Sequence, residues 1–157
     1  MAPTSDMSDA LGVDPSAAAC ADNWLADCAR RPSLAHEVWA MGGLAPVHCT
    51  RWLAAEVPLV LALRARERLP AHACGPLLVD VGLDCAWWLV PLGADVGAVG
   101  GRGVSLRPHG WPLHCPPASR PAAGRRWLVS PDGSGCLTDP GALSAATGPG
   151  FRAEAFG

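Results

Sequence analysis

"GPLLVDVGLDCAWWLVPLG", Gly75 to Gly93, is the stretch that decides the architecture. Two apolar runs, "LLV" and "AWWLV", flank the short break "DVGLD". Runs of this length, rich in Val, Leu and Trp and bounded by Gly and Pro, read as strands, and the break makes them a hairpin. Neighbouring Trp87 and Trp88 then point to opposite faces, one into the core and the other under a helix.

The same texture continues downstream. "VSLRPHGWPLHCPP" (104–117) repeats the two-run pattern with "PHGW" at its turn, and "RRWLV" (125–129) supplies one more strand. Upstream, "LAPVHC" and "RWLAAEV" read as strands, and Pro58 opens the helix "LVLALRARERL", which Pro70 closes. Earlier still, "ADNWLADCARRP" reads as a short helix with Trp24, Leu25 and Cys28 on one face, ended by Pro32. Ser33 then caps "LAHEVWAMGG", whose Leu34, Val38 and Met41 recur at helical spacing. Residues 1–20, small and polar, are expected to form a disordered leader. Residues 21–146 form a single α+β domain, a mostly antiparallel sheet with flanking helices, and 147–157 a flexible tail.

At 157 residues the chain has the length of one domain, and half of it is hydrophobic. A formal charge of −2 gives no overall electrostatic footprint for nucleic acid or an anionic membrane. The chain lacks Lys, Ile, Tyr and Gln and has one Asn and two Phe, the composition of a G+C-rich genome. The use of Arg for every basic position therefore says little about phosphate recognition. Seven scattered Cys include no C-x-x-C pair, and the start has no secretory pattern. The longest aliphatic run, "LVLAL", is too short to span a bilayer. The expectation is a cytoplasmic protein with reduced, buried thiols and no membrane partner.

Each chemical constellation has a plainer reading beside it. Two-metal chemistry needs two acids two residues apart on a strand, facing one way. Glu56, Asp80, Asp84 and Asp95 stand near strands or turns without forming such a pair, and Asp80 with Asp84 reads as turn-forming. His48-Cys49, His72-x-Cys74 and His114-Cys115 lack zinc spacing, so no metal is assigned. No G-x-S-x-G elbow occurs. Trp87, Trp88, Trp111 and Trp127, if exposed beside Arg107, Arg125 and Arg126, could stack bases. In a chain nearly without Phe and Tyr, core packing accounts for them better. The corner "SPDG" (130–133) reads as a type I turn, with Asp139 capping a last helix that opens at Pro140. It lacks the Gly-Lys-Ser/Thr ending of a phosphate loop.

Three stretches carry a family likeness. "RWLAAEVP" (51–58), "GPLLVDVGLDCAWWLVPLG" (75–93) and "VSLRPHGWPLHCPPAS" (104–119), with the tail "RWL…PDGSG…LTDP", resemble the N-terminal domain of the bifunctional DNA primase/polymerase family of the archaeo-eukaryotic primase superfamily. The likeness covers roughly residues 44–146 and is nearest to small divergent actinobacterial members. It implies a nucleotidyltransferase scaffold, nucleic acid or nucleotide as partner, and Mg²⁺ or Mn²⁺ wherever activity persists. The family's metal-holding positions are replaced. Leu53 stands at the first acid, "LDCAWW" offers no His, and Ser105 takes the place of an Asp before Leu106-Arg107. The resemblance thus implies a catalytically degenerate binding or regulatory module. Glu56, Asp80 and Asp84 are the catalytic candidates, and Arg107, Arg125 and Arg126 the candidate phosphate contacts. An active enzyme with relocated carboxylates, and a protein-interaction domain without nucleotide chemistry, are the alternatives.

Overall fold

Residues 15–94 and 103–148 are described by the structure, a computed structural model. Asp95 and most of the expected leader and tail lie outside the described residues. The elements run α1 (Pro15–Asp27), α2 (Pro32–Ala40), β1 (Ala45–His48), β2 (Leu53–Pro58), α3 (Leu59–Arg68), a 3₁₀ turn (Ala71–Ala73), β3 (Leu77–Asp80), β4 (Cys85–Val90), β5 (Ser105–Leu106), β6 (Pro112–Cys115), β7 (Arg125–Val129) and α4 (Pro140–Thr147). The fold is α+β. Five strands form one antiparallel sheet in the order β5-β2-β4-β3-β7, and β1 pairs with β6 in a second, two-stranded sheet.

The expected hairpin of β3 and β4 is present. Leu77 pairs with Trp88 and Asp80 with Cys85, and the connection closes through Asp84, whose φ of 54° is tolerated by a short polar side chain. Because the wide sheet places β4 at its centre, residues 86–90 of that strand are all buried. α3 starts directly after Pro58, and Asp139 caps α4 by accepting from the Ala142 amide at 2.8 Å, with Pro140 at its first turn.

Several expectations are corrected. Residues 15–20, placed in the disordered leader, belong to α1, which ends at Asp27 rather than at Pro32. Pro32 opens α2 instead, since its missing N–H costs nothing in a first turn. Ser33 lies inside that helix, and Arg31 is the cap residue. The buried face of α2 is Ala35 and Trp39, not Leu34, Val38 and Met41, and Met41 is 81% exposed. Trp39 wins because its indole N–H reaches the Cys115 carbonyl at 2.9 Å, tying α2 to β6. The segments around "PHGW" do not pair with each other: β5 joins β2 and β6 joins β1, so that loop crosses between sheets. The corner after β7 is closed by the Asp132 carboxylate, which accepts from the Ser134 amide and hydroxyl. Gly133, at φ +87°, presses on Cys20 of α1, where an added Cβ would stand 2.7 Å from the thiol sulfur. The corner is a packed joint.

The turn into β7 stores strain. Ala122 and Arg125 exchange both backbone hydrogen bonds across Ala123 (φ 48°) and Gly124 (φ 83°), the positive pair of a type I′ turn. Asn accepts that conformation more readily than Ala. Ala123→Asn is therefore expected to raise stability by about 0.5–1 kcal/mol. A urea midpoint that stays put or falls contradicts this.

Candidate functional site

Strand register gathers five of the residues singled out from the sequence, Glu56, Asp80, Trp87, Arg125 and Trp127, onto one face of the wide sheet. One row across the strands reads Ser105, Glu56, Trp87, Leu78, Trp127, and the next reads Pro58, Cys85, Asp80, Arg125. Rows two residues apart share a face. The two-stranded sheet is tethered over this face, since Arg125 donates to the His114 carbonyl at 2.7 Å and Trp127 to the Pro116 carbonyl at 3.2 Å.

On that face the charges alternate. Arg107, fixed where its amide donates to the Ala54 carbonyl, grips Glu56 with two bonds: Nε to Oε1 at 3.2 Å and Nη2 to Oε2 at 2.7 Å. Trp87 Nε1 donates to Glu56 Oε1 at 2.9 Å. The Arg125 guanidinium lies 4.5 Å from the Trp87 ring centroid and donates through Nε to Asp80 Oδ2 at 2.9 Å. Asp80 Oδ1 accepts from the Leu83 amide at 3.0 Å. The result is one continuous chain, Arg107–Glu56–Trp87–Arg125–Asp80, with Trp111 beside its outer end, 5.3 Å from Arg107.

The electrostatics follow from these contacts. Burial works against a charged Glu56, but the bonds from Arg107 and Trp87 outweigh it and hold the carboxyl below its usual range. Burial likewise opposes a charged Asp80, and the Leu83 amide together with Arg125 more than offsets it. Both acids are ionised and matched by a cation, so the face is electrically closed.

Two of the three candidate acids are thus on one face but turned to arginines rather than to each other. Asp84 is an exposed turn residue whose carbonyl receives the Leu59 amide. Among the described residues no three His, Cys, Asp or Glu side chains converge to hold a metal ion. Arg107 and Arg125, offered as phosphate contacts, are occupied by carboxylates. Arg126, the next residue along β7, points to the opposite face and is exposed. All seven thiols are free, and burial pushes Cys49 up to about 12 and raises Cys28 and Cys115 as well, which leaves the interior thiols unreactive at neutral pH.

Among the tryptophans, Trp87 bridges the two ion pairs. Trp88, on the other face, is fully buried and its N–H finds no acceptor. The difference follows from register: Trp87 pairs with Glu56 on β2, whereas Trp88 pairs with Ala55 and Leu77. No protein-family model, no curated protein and no solved structure matches the chain. No helix among the described residues is long and apolar enough to cross a membrane.

Proposed function

We propose that the chain is a primase/polymerase-like domain that no longer transfers nucleotides and acts as a binding or regulatory module. The observation that carries this reading is the pairing of Glu56 with Arg107 and of Asp80 with Arg125. Two-metal phosphoryl transfer needs carboxylate oxygens free to bind divalent cations and activate an attacking oxygen. Here the lone pairs that would meet the ions already accept from guanidinium, indole and amide groups. An arginine at 2.7 Å also repels an incoming cation from that carboxylate.

The decisive experiment is a primer-synthesis and extension assay with Mg²⁺ or Mn²⁺. No product above the level of a Glu56→Ala variant is expected. Robust synthesis abolished by Glu56→Ala would overturn the reading in favour of an active enzyme with relocated acids.

The distribution of arginines favours a protein partner over a nucleic acid. Arg107 and Arg125 are neutralised on one face while Arg126 stands alone on the other, so the three do not line a common groove. Fluorescence anisotropy with labelled single-stranded DNA at low salt tests this. Weak binding with a shallow salt dependence is expected, whereas a steep slope lost on Arg126→Glu would restore the nucleic-acid partner.

A further inference from the structure

The seven thiols divide by position: Cys28, Cys49 and Cys115 are buried, Cys74 and Cys85 half-buried, and Cys20 and Cys136 exposed. The two exposed ones come from distant parts of the chain, Cys20 from α1 and Cys136 from the corner that follows β7. Packing brings those parts together. A Cβ on Gly133 would stand 2.7 Å from Cys20 Sγ and 3.3 Å from the Cys20 carbonyl oxygen, and one on Gly135 would stand 3.5 Å from Trp24 Nε1. Trp24 is one turn beyond Cys20 on α1, and helical side chains lean over the turn that precedes them. Cys136 directly follows Gly135. Its amide donates to Ser134 Oγ at 3.2 Å, and that hydroxyl donates to Asp132 Oδ1, which holds the corner folded where it meets α1.

The two exposed thiols therefore belong to one contact, and no other thiol competes for either. Cys28 is two turns further along α1, about 12 Å from Cys20, well beyond the roughly 4.4–6.8 Å between Cα atoms that a disulfide spans. Cys49 and Cys115 are fully buried and out of reach of a dissolved oxidant. Because folding has already set the two segments against each other, a bond between Cys20 and Cys136 closes within one molecule, at high effective concentration. The site also has leverage on the fold. The buried residues of α1 are Ala21, Leu25 and Ala26, so Cys20 stands where the packed part of the helix begins.

We propose that Cys20 and Cys136 form a peroxide-responsive disulfide that clamps α1 to the corner after β7. One thiolate attacks a peroxide oxygen, the O–O bond breaks and hydroxide leaves. The other thiolate then attacks the sulfur of the sulfenic acid so formed, the S–O bond breaks and a second hydroxide leaves. The two thiol protons turn both hydroxides into water. Two thiols are oxidised to one disulfide while one hydrogen peroxide is reduced to two waters, and a dithiol reverses the bond. This clamp rests on the contact between α1 and the corner and does not depend on the function proposed above.

The test treats the reduced full chain, at low concentration, with stoichiometric hydrogen peroxide, then alkylates it in denaturant and digests it with trypsin. Titratable thiols should fall from seven to five. The tryptic peptides 1–30 and 127–152 should travel as one species. Cys28 shares the first of these peptides, so the link must vanish in Cys20→Ser as well as in Cys136→Ser, both exposed substitutions that leave the fold intact. Amide exchange at residues 18–22 and 133–136 should slow about tenfold in the oxidised protein and recover with dithiothreitol. A link that persists in Cys20→Ser, disulfides formed only between chains, or thiol loss without that link would overturn the proposal, and so would the survival of all seven thiols. The expected link with unchanged exchange would overturn the clamp.

Discussion

Gly75→Ala is expected to cost about 3 kcal/mol of stability, more than its single added methyl suggests. Gly75 sits just before β3, where the segment leading to α4 crosses the sheet. An added Cβ would collide with the backbone nitrogen of Thr138 and stand 2.5 Å from the Leu137 carbonyl carbon. Backbone cannot swing aside as a flexible side chain can. The crossing is also a hydrogen-bonded joint: the Gly75 amide donates to Thr138 Oγ1, the Thr138 amide to the Leu89 carbonyl, and the Asp139 amide to the Ala73 carbonyl. Opening the joint to admit a methyl strains all three bonds at once. The measurement is the urea unfolding midpoint at constant m-value. Thr138→Val, which keeps the shape and removes only the hydroxyl, should cost less, about 1–2 kcal/mol for the buried amide left unpaired. A Gly75→Ala protein as stable as the parent would show that the crossing is looser than described.

Arg125→Ala is the second large effect, at about 3 kcal/mol. The Arg125–Asp80 pair is mostly sheltered, with side-chain exposures of 14% and 12%. Removing the guanidinium leaves the Asp80 charge buried with only the turn amides of Leu83 and Gly82, unties the His114 carbonyl and uncovers the Trp87 ring. The Arg107–Glu56 pair is more open, at 36% and 27%, and water screens it. Arg107→Ala should therefore cost only about 1 kcal/mol. Equal losses in the two variants would contradict the burial argument. The same pairs set the acid response. Both carboxyls have folded pKa values below the ordinary range, so their contribution is complete above about pH 4–5 and is lost as pH falls through the folded values. Chemical denaturation between pH 6 and 3 should show stability falling with acid. The slope should be shallower in Asp80→Asn, and an unchanged slope counts against the pairing.

What could be read from the sequence was what neighbouring residues decide. The β3–β4 hairpin, the start of α3 after Pro58 and the Asp139–Pro140 cap all depend on side chains within a few positions of one another. The misreadings concern distant partners. β5 and β6 were joined across "PHGW" because nothing local reveals that their partners are β2 and β1. Leu34, Val38 and Met41 have the better spacing on α2, yet the Cys115 carbonyl, far along the chain, draws Trp39 inward. The candidate acids and arginines were named individually, but their pairing arises only once β2, β4, β3 and β7 lie side by side. Local patterning carries no record of that order.

The pairing of β1 with β6 has a consequence for how the chain reaches this state. β1 is complete by His48, but its strand partner among the described residues begins at Pro112. Sequence-distant contacts of this kind must wait for a large loop to close, which slows folding. On the ribosome, Val47 and Cys49 emerge long before the strand that covers them. The early chain would hold a sticky unpaired ribbon throughout synthesis of the central sheet, and chaperone dependence should be greatest in that interval.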